Sequence, residues 1–260
     1  MKRLLLCGAA ALGASIAIAL ALAVGPAGGP HVGTVASARA DTDDTKPASE
    51  VIGRSVGGRP IVATRYGDAT SDNVALVAGI IHGDEPAGLR VARAVRRIAP
   101  TVEGTQLWVI DTVNPDGVRA DTRKNAHGVD LNRNFPYRWH DDVPHSSGYY
   151  PGPRPASEPE TRAVMAFVQR IQPDLSIWYH QPWGAVLACH GRPRIAARYA
   201  KLVRMSTSCR GKGLRGTAIT WEMHTFPGSS AFVVELPPGK ISGSTATRQA
   251  RAALTVAEGR

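Results

Sequence analysis

His82 and Glu85 stand three residues apart in His82-Gly83-Asp84-Glu85, directly after an apolar run. An imidazole nitrogen and a carboxylate oxygen are both good zinc ligands, and at a turn this spacing lets both face one point. Taken alone, the pair is a weak signal, and its bland reading is an exposed acidic helix start, with Asp84 and Glu85 complementing the helix dipole. His180 closes a second apolar run and supplies the third ligand that a metal site needs. Its bland reading is a core histidine with one satisfied nitrogen. Two histidines and one glutamate leave a coordination position open, the arrangement of catalytic rather than structural zinc. Zinc in such a site lowers the pKa of water to about 7. Glu235 ends a third apolar run, Phe232-Val233-Val234. A carboxylate there is costly unless it is paired or functional, and it suits a general base; the alternative is an ion pair with one of the many arginines. Asn132 and Arg133 place an amide beside a guanidinium fork, which suits a substrate carboxylate. Arg123 is a further cation able to meet a developing oxyanion. The alternative for all three is a solvated basic loop.

These residues need strand ends to hold them. Asn73–Ile81, Gln106–Val113, Leu175–His180 and Ser230–Leu236 are apolar runs of strand length, as expected for strands covered on both faces. Between them the spacing predicts helices over Pro86–Ile98, from a Ser157/Glu160 capping box to Ile171, over Pro193–Ser208 and over Ser244–Glu258. Alternating strands and helices give an α/β fold, with a mixed, mostly parallel sheet covered by helices on both faces. In open sheets of this kind ligands collect beyond the carboxyl ends of the strands, where His82 and His180 fall. The stretch 118–156 is strand-poor and carries Arg123, Asn132 and Arg133. A long irregular loop in a compact domain is usually functional.

The chain has 260 residues, a net charge of +10 and three cysteines. Its 43% hydrophobic content excludes wholesale disorder. The first 40 residues read as an export signal: Met1-Lys2-Arg3, an uncharged apolar stretch to Val24, then Ala38-Arg39-Ala40 as a small-x-small cleavage site. The alternative is an uncleaved membrane anchor, the one circumstance in which a membrane would be a partner. Residues 41–50 read as a polar tether and 51–260 as the catalytic domain. Without the leader, 28 basic residues face 21 acidic ones, and Cys189 and Cys209 make an even pair for a disulfide outside the cytoplasm; two buried thiols are the alternative. Arg192, Arg194, Arg198, Lys201, Arg204, Arg210, Lys212 and Arg215 lie in a span from Leu175 to Trp221 that has no acid. That span reads as a solvated face or as a site for an anionic cell-wall polymer. Nucleic acid is set aside, because the span lacks interleaved aromatics and the chain is read as exported.

His82-x-x-Glu85, Asn114-Pro115-Asp116-Gly117, Arg123, Gly128-Val-Asp-Leu-Asn-Arg-Asn-Phe-Pro136, Ser157-Glu-Pro-Glu-Thr161, His180 and Glu235 occur in one order. This ordered set resembles the zinc carboxypeptidases, and it spans nearly the whole of residues 55–240. The resemblance implies an α/β fold around a mixed, mostly parallel sheet and one Zn2+ per chain on His82, Glu85 and His180. It implies that Asn132 and Arg133 hold the substrate's terminal carboxylate, that Arg123 stabilises the oxyanion, and that Glu235 acts as base and then acid. Three features depart from the digestive members: the chain is short, Asp84 stands where they often carry arginine, and no tyrosine follows Tyr199 to serve as their mobile tyrosine. The wording His-Gly-Asp-Glu-Pro-Ala-Gly and Tyr-His-Gln-Pro is similar to the murein peptide amidase branch.

That branch implies cleavage between γ-D-glutamate and diaminopimelate in cell-wall peptides, by an enzyme acting in the envelope or secreted. Diaminopimelate carries a distal ammonium, and Asp84 is the acid near the metal that would read it. His224, shortly before Glu235, is a candidate for the pocket wall. Two other functions stay open: an exported metallocarboxypeptidase for protein-derived peptides, and a non-catalytic cell-wall binding module of the same fold.

Overall fold

The computed structural model describes residues 46–188, 193–210 and 213–259. The proposed leader therefore lies outside the described residues, as does Cys189 of the expected bridge. Among the described residues, no helix is long and apolar enough to cross a membrane.

Among the described residues, eight strands form one sheet. In chain order they are β1 (Ala48–Arg54), β2 (Pro60–Gly67), β3 (Val74–Ala78), β4 (Gln106–Ile110), β5 (Leu175–His180), β6 (Ala185–Leu187), β7 (Ser206–Ser208) and β8 (Ser230–Glu235). Their order across the sheet is β1-β2-β4-β3-β5-β8-β6-β7. The centre, β4-β3-β5-β8, is parallel throughout. The antiparallel pairs are β1–β2 and β2–β4 on one side and β6–β8 on the other. Among the described residues the α-helices are α1 (Ala87–Ile98), α2 (Pro115–Ala120), α3 (Pro159–Ile171), α4 (Pro193–Val203), α5 (Ala218–Thr225) and α6 (Gly243–Ala257).

Apart from Ser176 and polar residues at the strand ends, the parallel strands are apolar because both faces are covered. Ala75 and Val77 of β3, Ile177 and Tyr179 of β5, and Phe232 and Val234 of β8 point into one core, with Val91 of α1, Tyr199 of α4 and Ala253 of α6. Leu76, Ala78, Trp178, Ala231 and Val233 point the other way, against Phe167 of α3 and Trp221 of α5. Successive strand residues thus alternate between two helix-covered cores.

Several boundaries differ from the sequence expectation. β1 takes in Ala48–Glu50, so the polar tether ends earlier than residue 50. Ser49 pairs its hydroxyl with Thr64 at 2.8 Å, and Glu50 meets Arg170. β3 stops at Ala78 rather than Ile81. The Gly79 N–H still donates to the Ile110 carbonyl at 2.8 Å, and a Cβ there would come within 2.3 Å of the Asp111 carbonyl, so only glycine fits at the strand end. The third predicted helix, Pro193–Ser208, ends at Val203, where Arg204 takes a left-handed φ of 59°, and residues 206–208 form edge strand β7 instead. The Ser157/Glu160 capping box does not form. Glu160 is fully buried and accepts from the Val56 N–H (3.0 Å) and the Asn125 amide (3.1 Å) rather than reaching back to the helix start.

Glu222 of α5 is fully buried, with a hydrogen bond from the Ser176 hydroxyl of β5. Burial pushes its carboxyl up to about 7, and Ser176 only partly offsets that. The folded chain therefore holds this proton where the unfolded chain, near the usual 4.5, has released it. The contribution to stability is fully present below about pH 4.5 and is lost as pH rises to about 7, a change of roughly 3 kcal/mol. Glu222→Gln should flatten that fall. Urea unfolding of both proteins at pH 5 and pH 8 checks it, and parallel losses in the two would remove Glu222 as the cause.

Candidate active site

Three adjacent parallel strands, β3, β5 and β8, deliver the candidate residues to one edge of the sheet. His180 and Glu235 end β5 and β8 as register partners. His82 follows β3 on the other side of β5. Two close approaches fix the turn that carries it. A Cβ on Gly83 would lie 2.0 Å from the Gly117 backbone, so the His82 turn sits directly on the start of α2. A Cβ on Gly88 would lie 1.9 Å from the Gly79 carbonyl, so the first turn of α1 is pressed against the strand end. Only glycine fits at either place. Asn114 caps α2 by accepting from the Gly117 N–H at 2.9 Å, which accounts for the Asn-Pro-Asp-Gly sequence.

His82, Glu85 and His180 meet there, all buried, with one ligand atom from each within 4.8 Å of the others. His82 Nδ1 lies 2.8 Å from Glu85 Oε1, and His180 Nδ1 lies 2.9 Å from Glu85 Oε2. The two Nδ1 atoms are 3.2 Å apart. Tetrahedral zinc with bonds of about 2.0–2.1 Å places its ligands about 3.3 Å from one another, so this donor set fits the ion in both type and spacing. Burial opposes ionisation of Glu85, but His180 and then His82 outweigh it and hold the carboxyl well below its usual range.

Asp130 is the functional residue that sequence reasoning quoted within a motif but gave no role. It is fully buried, and its Oδ1 lies 3.0 Å from His82 Nε2. With a proton on Nε2, His82 presents Nδ1 to the metal position, the usual service of a carboxylate behind a ligating histidine. The other oxygen, Oδ2, accepts from Arg123 Nε (3.1 Å) and Nη2 (2.8 Å). Arg123 in turn sets Nη1 3.2 Å from Glu85 Oε1. Despite burial, His82 and Arg123 hold Asp130 ionised far below the usual range. A charged residue between Val129 and Leu131, both fully inside, was the available sequence signal.

The loop bearing these residues is tied down along its length. Asn134 accepts from the Glu158 N–H (3.2 Å) and donates to the Pro151 carbonyl and the Ser157 hydroxyl (both 2.8 Å). Asn125 donates to Glu158 at 2.8 Å. Asn132 accepts from the Ala218 N–H at 3.0 Å and brings its amide nitrogen to 3.4 Å from His180 Nε2. Gln181 was also missed. Its Oε1 accepts from Ala87 N–H at 2.9 Å at the start of α1, and its amide nitrogen donates to the carbonyls of Pro237 and Gly239.

A cleft of about 500 Å³ opens over this group, and His82, Glu85, Arg123, Asn132, Arg133, His180 and Glu235 all line it. Among the described residues no carboxylate pairs with Arg133, whose guanidinium donates to the Asn132 carbonyl at 2.7 Å. Burial raises the Glu235 carboxyl, while His180 and the Trp183 backbone N–H draw it back. Its Oε2 is shut from the surface without a hydrogen-bond partner. No tyrosine follows Tyr199, but Tyr149 lines the cleft from the earlier loop, 5.0 Å from the Arg123 guanidinium and 5.4 Å from that of Arg133. Two expectations are corrected. Asp84 is exposed and does not line the cleft, because the turn that buries His82 and Glu85 points the residue between them outward. His224 is also exposed, stacked on Tyr137 at 4.0 Å and away from the cleft.

A family model described as Zinc carboxypeptidase matches residues 41–207. Murein peptide amidase A of Escherichia coli (strain K12) is 35% identical over 173 residues, 62% of this chain and 69% of that protein. Carboxypeptidase SOL1 of Arabidopsis thaliana is 31% identical over 173 residues, 58% of this chain and 33% of that protein. Among solved structures, murein-tripeptide amidase MpaA from Escherichia coli O157 has a TM-score of 0.65 at 25% identity, covering 85% of this chain and 95% of that one. Carboxypeptidase A from Helicoverpa Armigera has a TM-score of 0.70 over 83% of this chain and 69% of that one; at 18% identity it speaks for the fold alone.

Proposed function

We propose, from the premise that this chain belongs to the zinc carboxypeptidase family and is a hydrolase of that type, that it cleaves the amide between γ-D-glutamate and diaminopimelate in murein peptides. The observation that carries the substrate is the similarity to murein peptide amidase A over most of that protein's length. The chemistry rests on the cleft. One zinc ion per chain, held by His82, Glu85 and His180, would supply a Lewis acid and a means of ionising water near neutral pH. Arg133, half-buried and without a carboxylate partner among the described residues, takes the free carboxylate of diaminopimelate, with Asn132 at its side. Arg123, held in place by Asp130, donates to the carbonyl oxygen as charge develops on it. Glu235 takes a proton from the attacking water and hands it to the leaving amine. Asp84 has no part in this reading, since it faces away from the cleft.

The location is proposed with it. Residues 1–40 read as an export signal, which puts the enzyme outside the cytoplasmic membrane, and a Cys189–Cys209 bridge suits that compartment. The outer face of α4, where Arg194, Arg198 and Lys201 are exposed, suits an anionic wall polymer. Zinc content and hydrolysis of L-Ala-γ-D-Glu-diaminopimelate test the function together. The expected result is about one zinc per chain and faster cleavage of this tripeptide than of peptides ending in a neutral residue. Faster cleavage of ordinary peptides would favour a general exported carboxypeptidase. Zinc binding with no turnover on any peptide would leave a binding module.

A further inference from the structure

The charges lining the cleft do not balance. Its carboxylates are Glu85, within the metal-ligating group, and Glu235. Its arginines are Arg123, Arg133, Arg210 and Arg215. Three of these have a use already. Arg123 is paired with Asp130, Arg215 lies 3.0 Å from Asp142, and Arg133 is assigned to the terminal carboxylate. Arg210 remains. Among the described residues it has no carboxylate partner; its guanidinium lies 5.2 Å from the centre of the Trp183 ring, and its backbone N–H is fixed by the Ser208 hydroxyl at 3.0 Å. Stacking on an aromatic face holds a guanidinium in place without neutralising it and leaves its N–H edge free for a planar anion. Trp183 is itself fixed beside the reacting groups, since it follows His180 by three residues and its backbone N–H faces Glu235. Trp183 is nonetheless 40% exposed where it lines the cleft.

We infer that Arg210 on Trp183 forms a second anion subsite of the cleft, for a substrate carboxylate other than the terminal one. The ligand class is a peptide with at least two carboxylates near the scissile amide. This deepens the peptide-amidase reading and rests on it for the choice of substrate. The tripeptide offers two such groups, the α-carboxylate that γ-linkage leaves free on D-glutamate and the distal carboxylate of diaminopimelate. Either would be drawn by the same guanidinium, and amidating each in turn tells them apart.

The test is calorimetric binding of three peptides to the zinc-loaded protein carrying Glu235→Gln, which slows hydrolysis. The peptides are the parent tripeptide, its form with the glutamate α-carboxylate as a carboxamide, and its form with the distal carboxylate as a carboxamide. One amidation should weaken binding about tenfold, the scale of a charge-assisted hydrogen bond. Adding Arg210→Met should abolish that penalty and leave the effect of the other amidation unchanged, while Arg210→Lys should keep part of it. Indifference to both amidations, or equal weakening of all three peptides by Arg210→Met, overturns the subsite. Turnover of the parent by the unmodified protein is read separately. A protein that prefers the carboxylate forms yet cleaves none of them keeps the subsite and loses the proposed reaction.

Discussion

Glu235→Gln should leave the zinc content unchanged and reduce turnover of the tripeptide by roughly 10²- to 10⁴-fold, the range for loss of a positioned general base. Glutamine matches glutamate in shape, so the register pairing of His180 with residue 235 and the burial of the β8 end should survive. What disappears is an oxygen able to take a proton from water and release it to an amine. The second readout is stability. In the native protein the Glu235 Oε2 is buried without a partner, and burial alone disfavours its charged form. Neutral glutamine removes that cost, so the variant should unfold no more easily than the parent. Metal analysis, kcat and a thermal melt on one preparation decide the matter. Full zinc with substantial turnover would take the proton-transfer role from Glu235, and a collapsed melting temperature would make the residue structural.

The fold and the metal group were legible in the sequence because they depend on local, strong signals. An apolar run with no polar interruption, such as Asn73–Ile81, has few readings other than a strand covered on both faces. Three such runs ending in His82, His180 and Glu235 could meet only at one sheet edge. Less legible was anything set by crowding between segments distant in the chain. Gly79 must be glycine because the Asp111 carbonyl lies where a Cβ would be, and nothing next to Gly79 in sequence says so. Glu160 looked like one half of a capping box, but its partners, Val56 and Asn125, come from other parts of the chain. Asp84 was misread for a related reason. In a turn that aims the residues on either side of it inward, the middle side chain points out, and its charge was weighed without that geometry. Tyr149 and Arg210 reach the cleft from loops whose course no periodicity describes.

Asp130→Asn should cost either the metal or the arginine, because no orientation of the amide serves both. Oδ1 of Asp130 faces His82 Nε2 at 3.0 Å and accepts from the Asn132 N–H at 2.9 Å, while Oδ2 accepts two N–H groups from Arg123. An asparagine has one oxygen and one NH2. With its oxygen toward Arg123, the NH2 opposes the Asn132 N–H and forces His82 Nε2 to give up its proton. That proton then moves to Nδ1, the nitrogen that faces Glu85 and His180, and His82 is lost as a ligand. Zinc affinity should then fall by about 100-fold, the upper end for losing a carboxylate behind a ligating histidine. With the oxygen toward His82, the NH2 confronts Arg123 Nε and Nη2, and the guanidinium must leave its position beside Glu85. Zinc is then retained, and turnover falls by roughly 10²- to 10³-fold for want of an oxyanion donor. Zinc titration against a competing chelator, with kcat measured at saturating zinc, distinguishes the two. An Asp130→Asn protein unchanged in both would mean that neither His82 nor Arg123 depends on this carboxylate.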